Sequence, residues 1–238
     1  GINAEYGEYM SFSIAVVGRT GEGKSTLLNR LLGGNFFAVG DGLDPVTLQA
    51  KYVGNKIKSA LDTPGTNVSI DLTMKAFASL IQTINSQQIK AIAYVINFEN
   101  SVYTEIIQND LLMLCEMFDN KQMWDNICII FTKCYKKRIT EEQKDAKRKF
   151  YSQKIAQLVK KVADIELDSI TCHFIDSQNF SDAKTQQELD SLKQWVKNLE
   201  PLYLEKYSTI QISSELSSIK YLTMEENIEE TIEKKNKK

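Results

Sequence analysis

The chain has 238 residues, a length that suits one large α/β domain with appendages better than two domains. Hydrophobic residues make up 42% and charged residues 25%, which is enough to bury a full core, while a net charge of −2 gives no basic field for nucleic acid. No apolar run is long enough to span a bilayer, and Cys115, Cys128, Cys134 and Cys172 lack C-x-x-C spacing, so they read as reduced thiols of a cytosolic protein rather than as a metal site.

Residues 1–10 read as an N-terminal extension or engineered remnant. A buried strand follows over 12–17, and a helix over 23–32 that Gly33-Gly34 stops. Residues 35–45 form a loop rich in Gly and Asp. Strands are expected over 46–53 and 56–61, joined by the turn Gly54-Asn55 as a hairpin. After the break at 62–65, residues 71–86 carry helical spacing. The nearly continuous apolar run 91–98 marks a central parallel strand. Helix 104–118 and strand 126–132 follow. Thr140-x-x-Gln143 and Thr185-x-x-Glu188 both read as capping boxes, opening helices to about 163 and 199, with a last strand at 170–175 between them. Pro201 ends the domain. Residues 201–238 keep only the thin stripe Met224, Ile228 and Ile232, and read as a helical or frayed tail outside the core. Strand and helix alternate along residues 11–200. That pattern predicts a mostly parallel six-stranded sheet with one antiparallel strand, helices on both faces and a C-terminal helical extension.

The strongest local signal is Gly18 to Ser25, G-R-T-G-E-G-K-S, set between strand and helix. This is the phosphate-loop pattern, in which glycines let backbone amides curl around an anion at a helix N-terminus. Arg19, Thr20, Gly21, Glu22, Gly23, Lys24, Ser25 and Thr26 are therefore the candidate nucleotide-binding residues. Lys24 supplies a point charge for the β- and γ-phosphates, and Ser25 a hydroxyl for Mg²⁺. Asp62-Thr63-Pro64-Gly65 sits at the end of an apolar strand. Asp62 can hold Mg²⁺ through water, and the Gly65 amide can touch a γ-phosphate. Thr47, after the glycine-rich loop, can complete the Mg²⁺ shell and sense the γ-phosphate. Catalytic candidates are thus Lys24, Thr47 and Gly65, and metal candidates Ser25, Thr47 and Asp62.

Thr132-Lys133 ends the strand 127–131, where guanine-binding domains carry [NT]-K-x-D. A lysine stem there covers the purine, but the sequence continues Cys134-Tyr135 and the aspartate is missing. Asp176, Ser177, Asn179 or a backbone carbonyl after the last strand could accept from guanine instead, and Ser177 joins the nucleotide-binding set. His173, the sole histidine, alternates within an apolar strand and reads as a core or edge imidazole. Lys136-Lys137-Arg138 reads as a solvated face.

These residues resemble a known family. The loop G-R-T-G-E-G-K-S-T-L-L-N-R-L-L-G, Val46-Thr47, D-T-P-G and Val102-Tyr103-Thr104-Glu105 are similar to the immunity-associated AIG-type (GIMAP) GTPases over about residues 12–199, with septins and chloroplast import GTPases as structural relatives. The resemblance implies a Ras-like P-loop fold with a C-terminal helical extension, binding of GDP and GTP with Mg²⁺, slow hydrolysis, dimerisation across the nucleotide face and, for several members, association with intracellular membranes. It places switch I at about 37–47 and switch II from Asp62, with Lys133 as the base lysine. Val102 stands where the family has an arginine before Y-T, and Thr66 and Asn67 offer no water-orienting glutamine, so slow intrinsic turnover is expected. Two other readings compete with this one: a P-loop kinase or metabolic ATP-using enzyme, short of the arginines a lid would need, and a nucleotide-binding membrane-scaffold or interaction protein that works through its tail.

Overall fold

The computed structural model describes residues 12–39, 48–134, 139–177, 179, 181–204 and 219–238. Expectations that fall on 1–11, 40–47, 135–138 and 205–218, including the candidate ligand Thr47 and the basic run 136–138, lie outside the described residues.

The β-branched and aliphatic runs form the expected strands, except that the strand expected over 46–53 begins only at Ala50 and the one over 56–61 only at Lys58. β1 is Phe12–Val17, β2 Ala50–Gly54, β3 Lys58–Asp62, β4 Ala91–Asn97, β5 Ile127–Thr132 and β6 Thr171–Phe174. A further strand, β7, is Ile219–Thr223, and the sheet runs β6-β5-β4-β1-β3-β2-β7. Only the β2–β3 pair is antiparallel. The turn that joins them rests on Asn55, whose Oδ1 accepts from the amides of Ile57 and Lys58 at 2.8 Å each.

The expected six strands are therefore seven, because part of the tail is sheet. β7 lies parallel to β2, with Tyr52 opposite Tyr221 and their rings 5.7 Å apart. Its sequence, Ile-Lys-Tyr-Leu-Thr, is half exposed, as an edge strand allows. An edge strand that buries so little leaves little hydrophobic signal to read.

Helices flank the sheet: α1 Lys24–Leu32, α2 Ile70–Ser86, α3 Glu105–Met117, the single turn α4 Lys121–Trp124, α5 Glu141–Ala163, α6 Ala183–Lys197 and α7 Met224–Asn236. Alternation along β4 shows how the layers divide. Ala91, Ala93 and Val95 face one core with Leu27, Leu28 and Leu31 of α1 and Leu189, Leu192 and Val196 of α6. Ile92, Tyr94 and Ile96 face the other, with Phe77 and Leu80 of α2, Ile107, Leu111 and Leu114 of α3, and Tyr151, Ile155 and Val159 of α5. Small side chains on one side and bulky ones on the other let two helix layers close on a single sheet.

The Thr140 capping box is formed as expected, its hydroxyl accepting from the Gln143 amide and the Gln143 side chain from the Thr140 amide. The second expected box is not formed. α6 begins two residues earlier than Thr185, under Asp182, whose carboxylate accepts from the Thr185 amide at 3.3 Å. An aspartate is among the best N-caps, and Thr185 is buried within the first turn. A box the sequence reading missed opens α7 instead, at Thr223-x-x-Glu226. The histidine is a core residue, 4% exposed on β6, with Nδ1 3.8 Å from a Glu188 carboxylate oxygen. All four cysteines are free thiols, and burial pushes Cys115, Cys134 and Cys172 up to about 12.

Candidate functional site

β1 and β3 are neighbouring parallel strands, so the segments leaving their carboxyl ends meet. One is the loop 18–23 and the other is 62–67. Gly23 sits between loop and helix at φ 85°, a left-handed conformation that glycine adopts freely, and its carbonyl accepts from the Leu27 amide to start α1. The other segment comes closer still. A Cβ on Gly65 would lie 1.9 Å from Thr20 Oγ1 and 2.7 Å from the Thr20 amide nitrogen, so only glycine lets the two backbones touch.

Lys24 is the first residue of α1 and is buried. Its ammonium donates to the carbonyls of Gly18 at 3.1 Å and Arg19 at 2.9 Å, so the loop wraps around the charge. Burial lowers its pKa, and the carboxylates of Asp62 and Glu22 push back. The neighbouring Ser25 donates from Oγ to Asp62 Oδ2 at 2.6 Å. Asp62 is 2% exposed. Burial pushes its carboxyl above the ordinary carboxylate range, while Lys24 and Ser25 hold it down. Its Oδ1 is buried without a hydrogen-bond partner among the described residues. An orphaned, desolvated carboxylate oxygen beside a serine hydroxyl is the donor set of a hard, oxygen-seeking cation, so Ser25 and Asp62 fit Mg²⁺.

Glu22 and Arg19 have roles the sequence pattern did not specify. Glu22 is buried inside the loop, where one carboxylate oxygen accepts from the Asn97 amide at the end of β4 and the other lies 2.7 Å from Arg19 Nη2. Arg19 also donates to the carbonyl of Asn100 at 3.1 Å. Together they pin the loop to the β4–α3 connection. Thr20 and Gly21 lie at the loop crest and Thr26 is half-buried in the first turn of α1. The Thr20 amide donates to Asn67 Oδ1 at 2.7 Å, tying the loop to the segment after Gly65.

On the base side, Thr132 donates to the Glu22 carbonyl, and Lys133, at φ 56°, extends its ammonium to the Gly21 carbonyl at 2.7 Å. The lysine stem thus runs beside the loop, as a purine-covering lysine must. Ser177 follows β6 and is buried, and its Oγ has no hydrogen-bond partner among the described residues. Asn179 donates its amide to Asp176 Oδ1 at 3.0 Å, a local turn. Every candidate nucleotide-binding residue from Arg19 to Thr26, with Asp62, Gly65, Lys133 and Ser177, therefore stands at the carboxyl edge of the sheet.

The sequence reading gave no role to Asp110 on α3 or Tyr94 on β4, and took Thr66 after Gly65 only as no substitute for a water-orienting glutamine. Asp110 Oδ2 accepts from Thr66 Oγ1 at 2.5 Å and from the Tyr94 hydroxyl at 2.6 Å. The signal was present in the spacing. Asp110 falls three residues after Ile107 and four before Leu114, on the stripe where α3 buries apolar side chains.

Comparison with known proteins agrees with this geometry. No curated protein matches the chain at a significant level. Among solved structures, Toc33 from Arabidopsis thaliana in complex with Mg²⁺ and GMPPNP superposes with a TM-score of 0.61 at 15% identity, covering 84% of this chain and 90% of that one. A structure from work on the chloroplast translocon components atToc33 and psToc159, for whose GTPase activity dimerisation is described as important, gives 0.62 at 16% identity over 80% of this chain and 85% of that one. A membrane-tethering bacterial dynamin pair gives 0.57 at 12% identity over 82% of this chain but only 45% of that one. These likenesses show a shared fold. The AIG1 family model matches residues 12–227, nearly the whole described chain, and the protein belongs to the AIG1 family.

Proposed function

We propose that this protein is a guanine-nucleotide switch that binds GDP and GTP with Mg²⁺, hydrolyses GTP slowly and associates with a second copy across its nucleotide face. One observation carries the reading: a phosphate loop, a buried ammonium and a Ser25–Asp62 pair share one cradle at the ends of β1 and β3. Loop amides and the N-terminus of α1 favour the β-phosphate, and Lys24 adds charge toward the γ-phosphate. The Gly65 amide, held against Thr20, is the donor for a terminal phosphate oxygen. Ser25 and Asp62, with Thr47 as a further ligand, would hold Mg²⁺, which would supply positive charge against that of the phosphates.

The slow rate follows from what the side chains after Gly65 already do. Thr66 Oγ1 is committed to Asp110 and Asn67 Oδ1 to the Thr20 amide, so neither is free to orient water. Val102, at 70% exposure, replaces an arginine that could act across a dimer. The same facts favour one alternative, a nucleotide-dependent scaffold with negligible hydrolysis. No helix among the described residues is long and apolar enough to cross a membrane.

Calorimetric titration with GTP, GDP and ATP tests the ligand, and single-turnover hydrolysis tests the rate. Tighter binding of GTP and GDP than of ATP, with turnover well below a stimulated GTPase, is expected. Preference for ATP would overturn the reading. Gel filtration with GDP and with a non-hydrolysable GTP analogue tests self-association.

A further inference from the structure

A carboxyl group lies buried beneath the junction of loop and switch, where a leucine would pack at lower cost. Asp110 is 2% exposed, and its Oδ2 takes two hydroxyl donors at once, from Thr66 and Tyr94. Tyr94 lies in register with Val17, the last residue of β1 before the phosphate loop. Thr66 is further bound on both sides: its amide donates to the Gly18 carbonyl at 3.2 Å, and its own carbonyl accepts from Thr73 Oγ1 of α2 at 2.7 Å. One side chain therefore links β4, α3 and the segment after Gly65 to the base of the loop. Burying a carboxyl with no cation in contact is costly, so the site is expensive for packing alone.

We propose that Asp110 is a positioning residue for the nucleoside triphosphate: by holding Thr66 it fixes the adjacent Gly65 against the loop, in the arrangement that receives a terminal phosphate. The proposal rests on the guanine-nucleotide reading of the site. It deepens that reading by assigning a distinction between triphosphate and diphosphate to a side chain that touches neither. GDP has no terminal phosphate for the Gly65 amide to meet, so loosening Thr66 weakens the triphosphate selectively. The charged groups that face Asp110 are Lys24 and Arg19 of the loop, with Tyr94 on β4 and Glu22 acting on Tyr94. From α2 the neighbouring contact is the neutral Thr73.

The test uses Thr66→Val, which keeps shape and removes the donor, Asp110→Ala, which removes the acceptor, and Asp110→Asn, which keeps one acceptor oxygen. In nucleotide-free protein, hydrogen exchange of the peptide 63–72 should accelerate about tenfold in the first two variants and stay near wild type in the third. Affinity for a non-hydrolysable GTP analogue should fall about tenfold in the first two, GDP affinity should stay within about twofold, and Asp110→Asn should restore the analogue. Equal weakening of both nucleotides, or unchanged exchange, would overturn the proposal alone. Wild-type protein that binds neither nucleotide would overturn the guanine-nucleotide reading and this proposal with it.

Discussion

The two halves of the site are built differently. On the phosphate side the groups that shape the loop are paired within it: Lys24 with two loop carbonyls, Ser25 with Asp62, Glu22 with Arg19 and the Asn97 amide, and the Thr20 amide with Asn67, while Thr20 Oγ1 and Asp62 Oδ1 are buried without a described partner, turned to the place a ligand would take. On the base side Lys133 leans on the loop, and Ser177 keeps a buried hydroxyl without a described partner. A preorganised cradle binds any nucleoside polyphosphate, whereas discrimination among bases needs donors and acceptors fixed in advance. The contrast predicts strong phosphate binding with a base preference weaker than a complete [NT]-K-x-D motif would give.

The hardest blow to the phosphate side is Lys24→Ala. Charge-assisted hydrogen bonds to a phosphate are worth about 1.5–3 kcal/mol each, so nucleotide affinity should fall roughly a hundredfold or more. Calorimetry checks this, with circular dichroism to confirm the fold. A variant that binds as wild type would remove the phosphate-loop reading.

The next largest effect is on stability and reports the buried carboxyl beneath the cradle. Burial pushes Asp110 up to about 6 against the weaker pull of its two hydroxyl donors and of Lys24 and Arg19. A carboxyl raised in the native state binds its proton more tightly there than in the unfolded chain. Its ionisation therefore removes stability as pH climbs from about 4 to about 6, and the loss is complete above that. Asp110→Asn escapes the loss, so unliganded variant and wild type should be closest near pH 4 and differ by up to about 3 kcal/mol at pH 8, the variant being the more stable. Thermal or urea unfolding across that range measures it. Parallel profiles would mean that Asp110 does not titrate in this window.

How much of this was legible in the sequence follows the same divide. The phosphate loop and D-T-P-G were readable because anion binding imposes glycines at fixed offsets, and the central strands because burial on both faces demands unbroken apolar runs. Asp110 was hidden because a single polar residue on an apolar stripe shows its purpose only when Thr66, 44 positions away, arrives beside it. β7 was hidden for the opposite reason. Its pairing partner β2 lies far back in the chain, and an edge strand needs few apolar residues. The tail also reaches the site's rim, since Asn227 Oδ1 and the Phe36 carbonyl both accept from Lys51 at 2.6 Å. That convergence needs three distant segments and leaves no local pattern.

The base side can be sharpened rather than broken. Tyr135→Asp writes the missing aspartate into Thr132-Lys133-Cys134-Tyr135. Two charge-assisted acceptor contacts to guanine N1 and N2 should raise the GTP-over-ATP preference about tenfold or more, with little change in ATP affinity. Competition between the two nucleotides for a fluorescent GDP analogue gives the ratio, and an unchanged ratio would mean that the purine does not lie over Lys133.

The smallest effect concerns Ser177. A buried hydroxyl with no described partner costs stability unless something in the working state accepts from it or donates to it. If that something is the guanine ring, Ser177→Ala should weaken GDP by about threefold to tenfold, the worth of one neutral hydrogen bond, and leave pyrophosphate competition untouched. The unliganded variant should be no less stable than wild type, because the hydroxyl it loses makes no described bond in the free protein. Loss of stability without loss of GDP affinity would place the hydroxyl in the packing of the β6 end and leave Lys133 to hold the base.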